Sequence, residues 1–589
     1  MNTPIAFYNN QIKEFDVQLS KVKEQLFGSS MIRLLVFCVA AFSIYLGLGN
    51  AKVIMGIVLV TIVLFLFLVS RHSDLQYKRD TLKALLKINK TELDVLNREF
   101  HHLAEGTEFK NPLHHFSQDI DLFGKGSFYQ YCNRTALKQG SEVLAGIFTE
   151  NSIAQIEKKQ EAIEELAKMP EWRQEYSAVA SLVKTETAYT VILKWLKNYI
   201  PFVPKVMLNL TNVFSILSLG IIAIYILGWI SGWILAGWFF LGLGISGRYL
   251  KKVNKLSLDT SKIQSTFHQY QKLILEIENV EFSTPLLKEM RQEIISEKEK
   301  TSGILKKFAN ILNNLDQRNN MLVGIFANAF LLWDLRQCYN IEEWISSYGQ
   351  QVEKWFNVIA FFDAYNSLGG FAFNHPEYNF PSISNNQTIL KAIDASHPLL
   401  DQEKSVPNKI EIDKEQFFII TGANMAGKST FLRTVSLQIV MANMGLPVCA
   451  TEVVYSPIKL ITSMRTTDSL TDDESYFFSE LKRLKFIVDE IQNDRYFIVL
   501  DEILKGTNST DKAIGSRKFV ERLVRSNATG IIATHDLSLC EISKELPEVE
   551  NYYFDAEIVN NELHFDYTFK KGICQNMNAS FLLKKMEIV

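Results

Sequence analysis

Long uncharged runs occur twice in the first 250 residues, and short ones dominate the last third. Residues 34–49 carry no charge, and after Asn50-Ala51-Lys52 residues 53–69 carry none either. Each run is slightly short of the roughly 20 residues that cross a bilayer as a helix. Joined by a Gly-Asn turn, the two predict a helical hairpin. The mostly polar stretch ahead of the first run, and the second run that follows at once, argue against a signal peptide. Residues 206–247 are uncharged throughout. They predict a second hairpin that turns near Trp229-Ile230-Ser231-Gly232. Its second arm is short and Gly-rich, so a re-entrant or tilted segment is the alternative. Trp229, Trp233 and Trp238 fit the interfacial level of a bilayer.

The flanking charges predict an orientation. Arg33, Arg71, Lys78 and Arg79 bracket the first hairpin, and Lys197, Lys205, Arg248, Lys251 and Lys252 bracket the second. The two tight turns hold only Lys52 between them. By the positive-inside rule both termini and all large segments are expected in the cytoplasm, as a multi-pass membrane protein.

Strand-like runs stand at residues 416–421, 496–500 and 529–534, and each ends on polar chemistry. The first leads into Gly422-Ala423-Asn424-Met425-Ala426-Gly427-Lys428-Ser429, a G-x-x-x-x-G-K-S loop, and an amphipathic run from Thr430 to Met441 predicts the following helix. In such a loop backbone N–H groups turn inward around phosphate oxygens, and the helix N-terminus adds a favourable dipole. Lys428 is expected at the β/γ-phosphates of ATP, and the Ser429 hydroxyl on Mg²⁺. The second run ends in Asp501-Glu502. Asp501 is placed to hold Mg²⁺ and Glu502 to polarise the attacking water. The third ends on His535-Asp536, where a histidine can reach the γ-phosphate. A capping histidine is the bland alternative for that tripeptide alone.

Composition narrows the picture only slightly. The 589-residue chain carries a net charge of -3 and a pI of about 6.4, which is no basic signature for bulk nucleic-acid binding. Its six cysteines form no C-x-x-C pair. Neither a zinc site nor a disulfide framework is indicated. A charge-rich stretch, residues 293–307, reads as a solvated helix face.

Thr421 to Thr430 with Leu432-Arg433 resembles the T-G-P-N-M-G-G-K-S-T-x-x-R of the MutS family, and the Asn424-Met425 pair separates that family from other P-loop proteins. Asp501-Glu502-Ile503-Leu504-Lys505-Gly506-Thr507-Asn508-Ser509-Thr510-Asp511 is similar to its D-E-x-x-R-G-T-S-T-x-D, and Ala533-Thr534-His535 to its A-T-H. Ser396-His397-Pro398 and Pro407-Asn408 resemble elements that lead into the ATPase, and Gly572 to Met586 the segment that closes it. Residues 121–166 more weakly resemble the start of the family's helical core, and Asp363 to Leu368 its end. The resemblance implies a Mg²⁺-dependent ATPase with Glu502 and His535 catalytic, ATP held by Gly422 to Thr430, and metal held by Ser429 and Asp501. It also implies a homodimer through the ATPase domains, with Ser475 completing the partner's site in trans, and DNA as a possible partner.

Departures from the pattern matter. Asp473 stands where the family's signature loop usually has glycine, although Ser475, Phe477 and Glu480 match. No counterpart of the phenylalanine wedge that opens mismatched DNA is identifiable. The first 110 residues are expected to hold the hairpin and charged helices in place of mismatch-reading domains, and the chain to lack the usual C-terminal dimerisation helices.

The expected fold is multidomain: an α-helical core with two transmembrane hairpins and a C-terminal α/β P-loop NTPase of the MutS/ABC type. The expected boundaries are 1–103 for the N-terminal hairpin region, 104–385 for the helical core interrupted by the second hairpin, and 387–589 for the ATPase. Two functions compete. One is a membrane-anchored ATPase coupled to DNA binding or repair without mismatch specificity. The other is an ATP-driven machine acting on a protein partner. An ABC transporter is disfavoured, because no L-S-G-G-Q loop is present.

Overall fold

The computed structural model describes residues 3–183, 188–295, 299–465, 476–559 and 562–575. The chain opens with two long helices, Pro4–Leu46 and Ala51–Leu96, folded against each other around a turn in which Gly49 takes a φ of 112°. Thr3 caps the first by accepting from the Ala6 N–H, and Pro4 fills the first turn, where no backbone donor is needed. At 43 residues the first helix is about 65 Å long. Its base packs through Leu19, Val22 and Leu26 against Leu82, Leu85 and Leu86. Its outer part leaves Leu34, Leu35, Phe37, Phe42 and Leu46 exposed, as the second helix does Leu59, Val63, Leu66 and Phe67.

The second apolar stretch forms helices Met207–Ile226 and Gly232–Gly247, inserted between two pieces of the helical core. Trp238 stacks on Phe214 and donates from Nε1 to Ser218 Oγ at 2.7 Å. A third apolar helix, Met321–Leu331, packs on both. Gly242 makes this close approach possible, because a Cβ there would lie 2.0 Å from the Ala329 carbonyl oxygen. Among the described residues three helices are long and apolar enough to cross a membrane. A fourth is counted if Gly232–Gly247 and Leu250–Ser261, bent by 64°, form one span.

The core's central helix, Val352–Asn374, is buried along most of its length. Its Asp363 carboxylate accepts from the backbone N–H groups of Ala136 and Leu137 at 2.9–3.1 Å. This ties together the two ends of the helical core, more than 200 residues apart in sequence.

The C-terminal part holds a six-stranded sheet. Its order is Lys570–Lys571, Val549–Phe554, Phe417–Gly422, Thr529–Ala533, Tyr496–Asp501 and Lys459–Ser463. All pairings are parallel except that of Lys570–Lys571. A four-stranded sheet that includes Thr388–Ala395 and Asn408–Asp413 packs beside it. The helix after the phosphate loop, Lys428–Met444, differs from the expected amphipathic element. It is buried on nearly every side, because it lies between the sheet and the core helices Lys138–Thr149 and Ile156–Ala167. Gly445 ends it at φ 81°, packed on Lys159.

Candidate nucleotide site

Three neighbouring parallel strands end at one edge, the place where open α/β sheets hold ligands. Phe417–Gly422 lies beside Thr529–Ala533, which lies beside Tyr496–Asp501. Ile420 is in register with Ala533, and Ala533 with Asp501. The phosphate loop, the Asp501-Glu502 pair and His535 therefore emerge together, although more than 100 residues separate the first from the last. The loop turns through positive φ at Gly422 (152°), Met425 (68°) and Gly427 (101°). Met425 is 78 % exposed and Ala426 buried.

Lys428 is buried, and its Nζ donates to the carbonyls of Gly422 (2.8 Å) and Ala423 (3.0 Å). Burial holds its pKa below the usual lysine value, opposed by the charges of Glu502 and Asp501. Ser429 Oγ donates to Asp501 Oδ2 at 2.7 Å. Burial raises the Asp501 pKa, and this serine bond works against it. Glu502 Oε1 lies 2.8 Å from His535 Nε2. That hydrogen bond is the main reason the Glu502 carboxyl is pulled down to about 2. With Nε2–H donating to Glu502, the 3.4 Å approach of Lys428 Nζ to the same nitrogen is a contact between donors. Glu502 sits at φ 50° and Leu504 at φ 61°. Such left-handed non-glycine residues cluster at functional sites.

A cleft of about 610 Å³ opens over this edge. The phosphate loop, Asp501, Glu502 and His535 line it together with His397, Phe554 and Tyr567. Tyr567 covers Gly427, where a Cβ would lie 3.1 Å from its ring. Asn408 holds that segment, donating to the Tyr567 carbonyl at 3.0 Å and accepting from the Phe569 N–H at 2.7 Å. Burial, with the nearby Arg433 and Arg98, pushes the His397 pKa down to about 4, so this ring is neutral at pH 7.

All the expected site residues from Gly422 to Thr430, with Asp501, Glu502 and His535, thus meet at one edge. Ser475 and Asp473 lie outside the described residues, as does the end of the Gly572 to Met586 segment. Sequence reasoning assigned no role to Tyr567, Asn408 or Glu480. Asn408 stood inside a recognised Pro-Asn element, and Glu480 matched a family position; Tyr567 carried no signal. Glu480 is buried, and its Oε1 accepts from the N–H groups of Leu504 (2.6 Å) and Lys505 (3.3 Å). It pins the turn after Glu502 to the helix Tyr476–Glu490.

Ser429 and Asp501 offer two adjacent oxygens of the kind that suit Mg²⁺, an ion that binds through one or two protein oxygens plus substrate phosphates. Among the described residues no cluster of three or more His, Cys, Asp or Glu could hold a metal alone.

One polar junction between the helical core and this domain lies at Asp119 and Asp121. Asp121 forms a bidentate pair with Arg465 (2.5 and 2.7 Å) and lies 3.3 Å from Arg433. Asp119 accepts from the Thr462 hydroxyl and the Arg465 N–H. Arg433 is on the helix that begins at Lys428, so the junction leads directly to the phosphate loop.

A family profile described as MutS domain V matches residues 418–585. The human MutS protein homolog 4 is 34% identical over 204 residues, covering 33% of this chain and 21% of that protein. The DNA mismatch repair protein MutS of Staphylococcus aureus is 28% identical over 270 residues, covering 44% of this chain and 30% of that protein. The chain thus spans less than a third of the length of these curated relatives.

Proposed function

Because the chain belongs to the MutS family, we propose that it is a membrane-anchored, Mg²⁺-dependent ATPase that couples ATP hydrolysis to work on DNA. The observation that carries the ATPase reading is the convergence of Lys428, Ser429, Asp501, Glu502 and His535 on adjacent strand ends. On ATP binding, Lys428 exchanges its two loop carbonyls for β/γ-phosphate oxygens, and the loop N–H groups take the remaining phosphate charge. Bound at Ser429 and Asp501, Mg²⁺ would neutralise phosphate charge. Glu502 is already ionised and takes a proton from the attacking water as its oxygen bonds to the γ-phosphorus and the bridging oxygen leaves with ADP. His535 holds the Glu502 carboxylate in place and stands where it can meet the γ-phosphate.

The anchoring reading rests on the long apolar helices and their exposed Leu, Val and Phe side chains. A soluble surface rarely carries so large an apolar patch. Two ATPase domains are proposed to pair when ATP is bound. The names of the relatives support DNA as the object of the work. The net charge of -3 and the apolar helices favour the second reading, a protein partner at the membrane.

The test uses the full chain in detergent. ATP hydrolysis is measured with Mg²⁺ and with EDTA, and duplex DNA binding is titrated between about 50 and 200 mM salt. Hydrolysis that persists in EDTA refutes the metal assignment. ATP-independent failure to bind DNA at the lowest salt leaves the protein-partner reading in its place.

A further inference from the structure

A second recess, of about 310 Å³, lies where the base of the N-terminal hairpin meets the helical core. Its walls come from the helices Ala51–Leu96, Pro170–Ser181 and Val352–Asn374 and from the segment 133–136. Arg173 in this wall is 7 % exposed. Its Nε donates to the Leu166 carbonyl at 2.7 Å, and its guanidinium carbon lies 5.5 Å from the Phe373 ring centre. The nearby acid, Glu92, is already committed. It accepts from Arg134 Nε at 2.9 Å and from Asn374 Nδ2 at 2.7 Å. Arg173 forms no ion pair among the described residues; Glu92 is close enough to act on its charge but is bonded to Arg134 and Asn374.

Asn366, in the same wall, is 4 % exposed, and neither its Oδ1 nor its Nδ2 has a partner. A buried carboxamide with both groups unmatched is uncommon. Lys87 adds a further positive charge at the exposed rim. Ala84, Ile88 and Leu103 give the recess an apolar side.

We propose that this recess binds a small soluble organic anion, its phosphate or carboxylate head against Arg173 and its body along the apolar side formed by Ala84, Ile88 and Leu103. A lipid head group is excluded by distance. Ala84 and Val69 lie on one continuous helix, about 22 Å apart along its axis, so the recess stands well clear of the apolar part of the hairpin. The ligand would bridge the hairpin to the helix Val352–Asn374 and stiffen the junction between them. The site is separate from the nucleotide cleft, and the proposal does not depend on the ATPase reading.

Isothermal titration of the full chain in detergent tests it, with saturating ADP present to keep anions out of the nucleotide cleft. The probes are inorganic phosphate, acetate and glycerol 3-phosphate. At least one should bind the wild-type chain, and Arg173→Gln should weaken it by about tenfold or more. Lys87→Glu, on the surface, should weaken it by about threefold. Should Arg173→Gln not fold, Lys87→Glu decides. The proposal is overturned if no probe binds below about 10 mM, or if the folded variants bind as the wild type does.

Discussion

Replacing Glu502 by Gln removes one proton acceptor and changes little else. Gln keeps an oxygen that can accept from His535 Nε2, now 2.8 Å from Glu502 Oε1. Lys428, Ser429 and Asp501 keep their own partners, so the phosphate-binding surface persists. In the wild type the carboxyl is drawn down to about 2, first by the His535 bond, against the opposing effect of burial. A depressed carboxylate pKa stabilises the fold above the ordinary value of 4.5 and loses that contribution as pH falls through about 2. Glu502 is therefore fully ionised at any pH used for assay, and kcat/KM should show no acid limb from it above about pH 4. Loss of a general base costs about 10²–10⁴ in rate, or about 3–5 kcal/mol on the barrier. Single-turnover hydrolysis of labelled ATP should slow by that factor. ATP affinity, measured by equilibrium binding, should stay within about threefold. Hydrolysis at the wild-type rate would remove Glu502 from the mechanism. Slow hydrolysis with lost ATP binding would make its role structural.

Four further outcomes follow from the geometry. Glu480→Ala should cost about 1–3 kcal/mol of stability, because the Leu504 N–H loses its acceptor, and should lower kcat more than ATP affinity. Denaturant unfolding and steady-state kinetics check both. Burial lifts the Asp363 carboxyl to about 7 from its ordinary 3.8. Stability from a raised group is full below 3.8 and is lost as pH rises to 7, so Asp363→Asn should flatten the melting temperature between about pH 4 and pH 7. Deleting residues 33–69 should leave the chain in the membrane fraction, held by the second apolar region. Its recovery as a soluble protein would show that region to be buried core. Duplexes with and without a single mismatch should bind within about tenfold of each other across a salt series, because backbone contacts do not read pairing. A larger preference would mean that a helical segment unstacks bases.

The local content of the site was legible in the sequence. An apolar strand, a glycine loop and a helix start fix the backbone around Gly422 to Ser429 through short-range sterics, and the same holds for the strand ending at Asp501. The two long uncharged runs were equally plain, because hydropathy needs no tertiary partner. What needed the fold was every relation across distance. Parallel register alone puts His535 against Glu502. The helix Lys428–Met444 looked amphipathic, yet the core covers the face that its polar positions left open. The helix Met321–Leu331 went unremarked, since its 11 residues are too short to stand out until Gly242 admits Ala329. Glu480, Asn408 and Tyr567 act through backbone groups of remote loops, and a residue type carries no sign of which carbonyl or N–H it will meet. Arg173 and Asn366 are ordinary polar positions along their helices. Only packing removes water from both and sets them in the wall of a recess.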